Sequence, residues 1–334
     1  MYTIGRTYTN KFYLVCTIIY WRTIKMALNF TAKDVAALKE RTGVGIMDCK
    51  KALTETNGDV EAAIVILREK GLATQAKKAG RVAAEGIVTT LIDADKKLGV
   101  ILEVNSETDF VAKNDDFKAF VNGVAKTILN ENPADVEALN DCKMDGRDVT
   151  VKEAYDELFL KIRENMQIRR FKRLEGTLVS YVHGEGQFGV IVKLDTTIPA
   201  DNQELIECGK DVCMQITSMN PPYLNRESVP ASAIEEEKTI MLTQMAEDPK
   251  MANKPEQVKA KIVEGKVSKY YTENCLLEQA FVKDDKVSVG KYIDSVAKKL
   301  GAPISVVEFV RYERGEGIQK KEENFADEVN SMMK

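Results

Sequence analysis

The sequence predicts an α+β fold that joins a small three-helix domain to a larger core of antiparallel sheets and helices. Two observations carry this prediction. Between residues 31 and 71, apolar residues recur at helical spacing in three successive runs. Between residues 85 and 312, two stretches resemble each other, and each follows the order strand, turn, strand, helix, helix, strand. The change of period between these regions indicates separate domains within the 334 residues.

Residues 1–25 differ in composition from the rest of the chain. They contain four basic residues, no acidic residue and the only tryptophan, Trp21. Three interpretations are open: a mitochondrial targeting segment, a disordered tail, or translated non-coding sequence upstream of a true start at Met26. We favour the third, and we expect this leader to lie outside the fold.

The three-helix domain is expected at residues 26–72. Val35 and Leu38 mark the first helix, Leu53 marks the second, and Asp59 is a suitable N-cap for the third. About 40 residues in three helices match the size of a ubiquitin-associated-type recognition module, which has too little interior for an enzyme pocket. We therefore expect a docking domain.

The middle of the chain is a diverged internal repeat. Three pairs of segments set its register, at offsets of 90, 88 and 138 residues: Glu85-Gly86 with Glu175-Gly176, Asn132-Pro133 with Asn220-Pro221, and Val149-Thr150-Val151 with Val287-Ser288-Val289. Each half should form a three-stranded antiparallel sheet with helices on one face. In the last strands, Ile168 and Phe171, or Val306 and Phe309, are inward candidates.

These offsets define the domain boundaries. A basic linker at 73–84 precedes a first core half at 85–174 and a second half at 175–312. A C-terminal helical module is expected at 313–334, built on the small amphipathic pattern of Lys320–Val329.

The second half carries about 50 extra residues, which predict a helical hairpin at about 230–272. Its inward faces should hold Ile234, Met241 and Met245 on one helix and Val258, Ile262 and Tyr270 on the other. A projecting hairpin has little body to cover, so we expect it to contact a partner or a second copy of the chain.

Composition excludes several classes of function. The single histidine, His183, rules out a multi-histidine metal site and leaves one residue on which a Ser-His-Asp triad could be built. The six cysteines include no C-x-x-C pair, so we expect buried, reduced thiols in a cytoplasmic protein. The net charge of -4 argues against a dedicated nucleic-acid binder, and no run of 18 apolar residues predicts a membrane span.

Two motifs suggest chemistry that their context does not support. Gly184–Gly189 satisfies G-x-G-x-x-G, but a strand follows where a dinucleotide site needs a helix, so a hairpin turn is favoured. Six bases in Lys161–Arg173 could bind RNA, although solvated charges at a strand edge are the commoner explanation. We expect no cofactor and no bound metal.

One segment of the first half, Thr108-Asp109-Phe110-Val111, has no counterpart in the second half. It has two interpretations. Thr108 or Asp109 caps a helix and Phe110 enters the core, or the segment serves function instead of the fold. The sequence leaves both open.

Five stretches of the chain are distinctive together: Arg41–Leu53, Asn105–Asn114, Met214–Ile216, Met219–Pro221 and Leu276–Gln279. In these stretches the chain resembles the bacterial elongation factor Ts family. The similarity runs from about Phe30 to Val329, the whole chain except the leader, which supports Met26 as the start. Ala280 stands where that family usually has proline, and the turn after His183 is altered.

The resemblance implies a guanine-nucleotide exchange factor that binds elongation factor Tu and performs no covalent chemistry. It implies that Thr108-Asp109-Phe110-Val111 dislodges Mg²⁺ from that GTPase. Further candidate contacts are Arg41, Gly43, Val44, Met47, His183, Met219 and Asn220. Two alternatives remain: an adaptor that uses the three-helix domain and the hairpin, and an oxidoreductase built on Gly184–Gly189.

Overall fold

The computed structural model describes residues 29–248 and 254–319. The predictions for the leader and for the helix at Lys320–Val329 lie outside these residues. The chain divides into two compact units: the residues up to Gly80 together with Tyr155–Glu164, and the remaining residues, which we call the core unit. Within the described part of the chain, no helix combines the length and the apolar character needed to cross a membrane.

The first unit contains the three predicted helices: α1 (Ala32–Thr42), α2 (Ile46–Glu55) and α3 (Val60–Lys78). Thr31 and Asp34 form a capping box at the start of α1, and Gly43 ends that helix in a left-handed conformation. The Asp59 carboxylate accepts a hydrogen bond from the amide of Ala62 at 3.0 Å, which confirms it as the N-cap of α3.

Helix α3 is longer than the sequence predicted. It continues to Lys78, so residues 73–78 of the predicted linker are helical, because that segment holds no proline and its alanines and lysines favour a helix. The unit also includes Tyr155–Glu164, which the predicted boundaries placed in the first core half. At Gly71 a Cβ atom would lie 2.1 Å from Leu160 Cδ2, so glycine allows α3 to approach the Tyr155–Glu164 segment closely.

The core unit contains two three-stranded antiparallel sheets, as the repeat predicted. The first consists of β1 (Glu85–Ile92), β2 (Leu98–Ser106) and β3 (Met166–Glu175). The second consists of β4 (Thr177–His183), β5 (Phe188–Thr196) and β8 (Ile304–Glu313). In both, the middle strand is the second in sequence, and the last strand returns to its side after the helices.

The helices of the core unit also repeat. The first half contains α4 (Asp109–Lys113), α5 (Asp115–Glu131), α6 (Val136–Asp141) and α7 (Val151–Ile162), of which the part from Tyr155 onward belongs to the first unit. The second contains α8 (Gln203–Met219), α9 (Ala231–Glu247), α10 (Glu256–Asn274) and α11 (Val289–Leu300), with a short strand pair, β6 (Ala280–Phe281) and β7 (Asp284–Ser288), that the sequence did not predict. Helices α5 and α8 begin with an asparagine N-cap and end at an asparagine of positive φ.

Each sheet buries both faces. Helices α8 and α11 cover one face of the second sheet, and the other faces of the two sheets pack on each other. The cluster between the sheets consists of Val88, Ile101, Leu174, Leu178, Ile191 and Val310. The prediction of helices on one face is confirmed, and the structure adds sheet-on-sheet packing on the other.

A β-bulge lies at the same repeat position in both sheets, at Glu103/Val104 and at Lys193/Leu194. It adds one residue to the last strand of each sheet, which breaks the regular alternation of faces. The inward candidates are accordingly unequal: Ile168 and Val306 are buried, whereas Phe171 and Phe309 are half-buried.

The predicted hairpin segment contains α9 and α10, which pack against each other. Ile234, Met241 and Met245 are buried as predicted. On α10, Ile262 is half-buried but Val258 is 41% exposed, so the prediction for Val258 was wrong. At this point of α10 the covered position is one residue later than predicted. It is occupied by Lys259, whose side chain is 18% exposed.

Candidate functional site

The most exposed large apolar side chain among the described residues is Phe110, at 79%. It lies on α4, the short helix between β2 and α5. The next two residues, Val111 and Ala112, are buried. The helix is therefore held by one side, and it presents the phenylalanine ring to solvent on the other. The interpretation in which Phe110 enters the core is wrong.

The residue equivalent to Phe110 in the second half of the repeat is packed in the core. Phe110 precedes the N-cap Asn114 by four residues, and Ile198 precedes the equivalent N-cap, Asn202, by four. Ile198 is buried in the apolar cluster under α8, whereas Phe110 is not. An exposed aromatic ring gives up about 2 kcal/mol of burial, so its presence at this position favours a role in binding.

Local hydrogen bonds fix both ends of α4. The Ser106 hydroxyl donates to the carbonyl of Thr108 at 2.9 Å, just after β2 ends. Thr108 occupies the N-cap position, although its side chain makes no capping hydrogen bond. After α4, the Asn114 side chain accepts from the amide of Phe117 at 3.2 Å and starts α5.

Asp109 forms an ion pair within α4. Its Oδ2 lies 2.8 Å from Lys113 Nζ, one helical turn away. The hydrogen bond from Lys113 lowers the pKa of Asp109, and the same contact raises the pKa of Lys113. The ion pair holds the Asp109 carboxylate against the next turn of α4.

A groove of about 830 Å³ runs beside α4 and brings Asp109 together with the turn after His183. Its lining includes the charged side chains of Asp109, Lys113 and Arg314 and the turn residues Gly184–Gly186. It also includes the apolar side chains of Ile87, Val88, Val121 and Val182. This combination of apolar and charged groups suits a protein segment more than a small ligand.

Gly184–Gly189 forms a hairpin turn, as the sequence predicted. Residues 184–187 connect β4 to β5, so a strand follows the motif and no helix N-terminus faces it. The Gly186 carbonyl accepts from the amide of Val88 at 2.8 Å. The turn is thereby fixed on β1, and the motif provides no dinucleotide site.

His183 lies at the end of β4 and is exposed. Its Nδ1 is 2.9 Å from the Tyr181 hydroxyl, and its ring lies 6.3 Å from that of Phe188, centroid to centroid. Among the residues that the structure describes, its hydrogen-bond partner is the Tyr181 hydroxyl and not a carboxylate, so the ring has the geometry of a surface group and not that of an oriented base.

Four candidate contacts lie in the first unit. Arg41 is held by Glu61 at 2.5 Å on the surface, Gly43 is the left-handed C-cap of α1, and Met47 is 62% exposed. Val44, however, is 1% exposed and packs in the core of that unit. Its side chain cannot reach a partner in this conformation, so we remove it from the candidate surface.

Two further candidates, Met219 and Asn220, end helix α8 of the core unit. Met219 is half exposed, and Asn220 is the C-cap with φ of 44°. Asparagine tolerates this left-handed conformation, so a capping role accounts for Asn220 on its own.

The basic residues near β3 form ion pairs within the chain. Arg163 pairs with Asp48, Lys172 with Glu308, and Arg173 with Glu175, while Arg169 and Arg170 both bind Glu103. Such pairing leaves little uncompensated charge for RNA. The expectation of solvated charges holds for Arg163 and Lys172, which are half exposed, whereas the side chains of Arg169, Arg170 and Arg173 are mostly covered.

Sequence reasoning missed Glu103. Its carboxylate is fully buried, lies 2.9 Å from Arg169 and 2.6 Å from Arg170, and accepts from the amide of Gly315 at 2.8 Å. The sequence feature that could have found it is a single acidic residue within the apolar part of β2, residues 100–104. This residue lies opposite two adjacent arginines on β3. This cluster fixes the end of β8 beside the groove.

Comparison with known proteins gives a consistent result. The family model described as "Elongation factor TS" matches residues 107–316. Elongation factor Ts of Clostridium perfringens (strain SM101 / Type A) is 51% identical over 305 residues, covering 90% of this chain and 98% of the relative. Elongation factor Ts of Clostridium novyi (strain NT) is 49% identical over 307 residues, covering 91% and 98%. The chain therefore belongs to the elongation factor Ts family, whose members are translation elongation factors.

Proposed function

We propose that this protein is a guanine-nucleotide exchange factor that acts by binding. It binds elongation factor Tu carrying GDP, dislodges Mg²⁺, and promotes the release of GDP and its exchange for GTP. The observation that supports this best is the exposed Phe110 ring on a short helix anchored by Val111. We assign no cofactor to the protein, and we place it in the cytoplasm.

The partner's chemistry explains why an apolar wedge suffices. A GTPase holds GDP through a phosphate-binding loop and a Mg²⁺ ion that bridges phosphate and protein oxygens. Magnesium requires near-ideal octahedral geometry, so a small shift of its protein ligands weakens its binding. A factor that moves these ligands needs no acid, base or nucleophile of its own.

Phe110 is suited to cause such a shift. Burying its ring between switch-region helices would provide about 2 kcal/mol, which can offset the cost of separating them. Asp109, the neighbouring residue, carries a carboxylate of lowered pKa that can accept hydrogen bonds from the displaced segment. Thr108 starts the helix and Val111 fixes it to the core, so the four residues act as one rigid unit.

Thermodynamic linkage completes the cycle. If the factor weakens GDP binding through a coupling free energy of about 1–3 kcal/mol, nucleotide weakens binding of the factor by the same amount. Incoming GTP therefore releases the factor, which can act on another molecule of its partner.

Other surfaces would supply the affinity. In the first unit, which we assign as a ubiquitin-associated-like docking domain, Arg41 and Met47 are exposed next to the turn at Gly43. In the core unit, His183 and Met219 are exposed. The helix pair α9 and α10 is assigned either to elongation factor Tu or to self-association, and analytical ultracentrifugation of the protein alone distinguishes these assignments.

The test is the release of labelled GDP from purified elongation factor Tu. The wild-type chain should accelerate release, and the double variant Asp109→Ala with Phe110→Ala should lose most of that acceleration while melting at the wild-type temperature. Val307→Ala is the matched control, because Val307 is also an exposed apolar residue of the core unit. No acceleration by the wild-type chain would refute the proposal.

A further inference from the structure

We propose that Glu107 is a positioning residue for Phe110, because its carboxylate fixes the base of α4 to two other segments of the core unit. This inference rests on the proposed exchange function, since it concerns how the Phe110 ring is held. Glu107 lies between Ser106, the last residue of β2, and Thr108, the first residue of the functional segment.

Both carboxylate oxygens of Glu107 have partners. Oε1 accepts from the backbone amide of Asn165 at 2.5 Å, and Oε2 lies 3.2 Å from Arg81 Nη1. Asn165 Nδ2 in turn donates to the carbonyl of Arg81 at 2.8 Å. Glu107, Arg81 and Asn165 therefore form a closed triangle, which we call the Glu107 clamp.

The clamp joins three stretches of chain that are distant in sequence. Arg81 begins the segment that leads into β1, and Asn165 immediately precedes β3. Glu107 follows β2, so its carboxylate connects three segments at the same end of the first sheet. Helix α4, which carries Phe110, begins at this end.

The Glu107 carboxylate is largely protected from solvent, although its partner Arg81 has a side chain that is 55% exposed. Only 17% of the Glu107 side chain is exposed, compared with 67% for Glu175, which pairs with Arg173 at the other end of the same sheet. Charge-assisted hydrogen bonds strengthen as solvent is excluded, whereas exposed pairs contribute little. The bond from the Asn165 amide to the protected Glu107 carboxylate is therefore suited to restrain the backbone at this point.

This restraint matters because the exposed Phe110 ring has little packing of its own to orient it. Its ring is exposed, so its position depends on the backbone below it: the buried Val111 and Ala112, the Ser106 hydrogen bond to Thr108, and the Glu107 clamp. A small misplacement of a group that must enter a defined gap can lower a rate about a hundredfold.

The first measurement follows the ring in the free protein. Trp21 is the only tryptophan, so Phe110→Trp in a Trp21→Phe background reports on this position alone. Adding Glu107→Gln should lower the residual time-resolved anisotropy of the tryptophan at position 110. Adding Glu175→Gln, which removes an arginine-paired carboxylate far from Phe110, should leave it unchanged.

The second measurement uses native Phe110 and the exchange reaction. Glu107→Gln should lower the maximal rate of GDP release about tenfold, while the half-saturating concentration changes less than about twofold. Arg81→Met should have a smaller effect in the same direction, because the contact between Asn165 and Glu107 remains.

The outcomes separate this inference from the proposed function. If the wild-type chain does not accelerate release, the exchange function fails, and the anisotropy alone decides whether the clamp holds the ring. If the wild type is active and Glu107→Gln matches it in both measurements, the inference is overturned. The inference is also overturned if Glu107→Gln raises only the half-saturating concentration while the maximal rate and the anisotropy stay at the wild-type values. If Glu107→Gln fails to fold in a thermal melt, Arg81→Met decides, and wild-type values in that variant contradict the clamp.

Discussion

At the scale of single residues, the contrast between Phe110 and Ile198 defines the site. The two residues occupy equivalent places before an asparagine N-cap, but one is exposed and the other is packed. The sequence singled out the segment because the repeat lacked a matching Asp-Phe pair. It could not show which way Phe110 points, since a helix of five residues offers no periodicity to read.

The pKa of Asp109 depends on its hydrogen bond with Lys113. Because the hydrogen bond from Lys113 lowers the pKa of the folded-state carboxyl, the pair stabilises the fold above the unfolded-state pKa. That contribution is lost as the pH falls through the folded-state pKa, which lies below the usual 3.8. Lys113→Met should raise the Asp109 pKa in a carboxyl NMR titration. Lys118→Met, in the same groove, is the control, and an unchanged pKa in Lys113→Met would contradict the assignment.

Glu103 should matter for stability in a way that surface carboxylates do not. Glu103→Gln leaves Arg169 and Arg170 without their buried anion, and it should lower the free energy of unfolding by about 3 kcal/mol. Glu308→Gln, which breaks the exposed pair with Lys172, should cost less than about 1 kcal/mol. Urea denaturation measures both, and equal losses would show that the buried cluster contributes nothing special.

At the scale of helices and strands, the repeat explains most of the architecture. Its offsets predicted the strand pairs and the inserted segment, because strand alternation and turn residues are local signals. They did not predict the bulges beside Glu103 and Lys193, the β6–β7 pair, or the inward position of Lys259. These features depend on packing between residues that are distant in sequence.

Gly86 tests the repeat at this scale. It has φ of 119°, its repeat partner Gly176 has φ of 133°, and a Cβ at Gly86 would lie 2.1 Å from the Val104 carbonyl oxygen. Gly86→Ala should therefore destabilise the core unit by about 3 kcal/mol. Gly265→Ala, at an open position within α10, should instead stabilise by about 0.5–1 kcal/mol. Thermal denaturation compares them, and a neutral Gly86→Ala would contradict the structure.

At the scale of the whole molecule, the two halves of the core unit are joined by contacts that no local pattern reveals. The apolar faces of both sheets pack together, Glu103 binds the amide of Gly315, and the Gly186 turn binds β1. Together these contacts place Arg314 and the turn after His183 on the groove beside Asp109. The sequence supplied the candidate residues, but only the folded chain shows that Asp109 and this turn share a groove and that Val44 is buried.

The most direct test of the central claim is the magnesium dependence of GDP release from elongation factor Tu, with wild-type and Phe110→Ala chains at saturating concentration. If Phe110 acts by displacing the ion, elongation factor Tu should release GDP about tenfold faster with the wild-type chain than with the variant in millimolar Mg²⁺. The two rates should converge when the ion is removed with a chelator. Equal rates in the presence of Mg²⁺, or an undiminished difference without it, would contradict the claim.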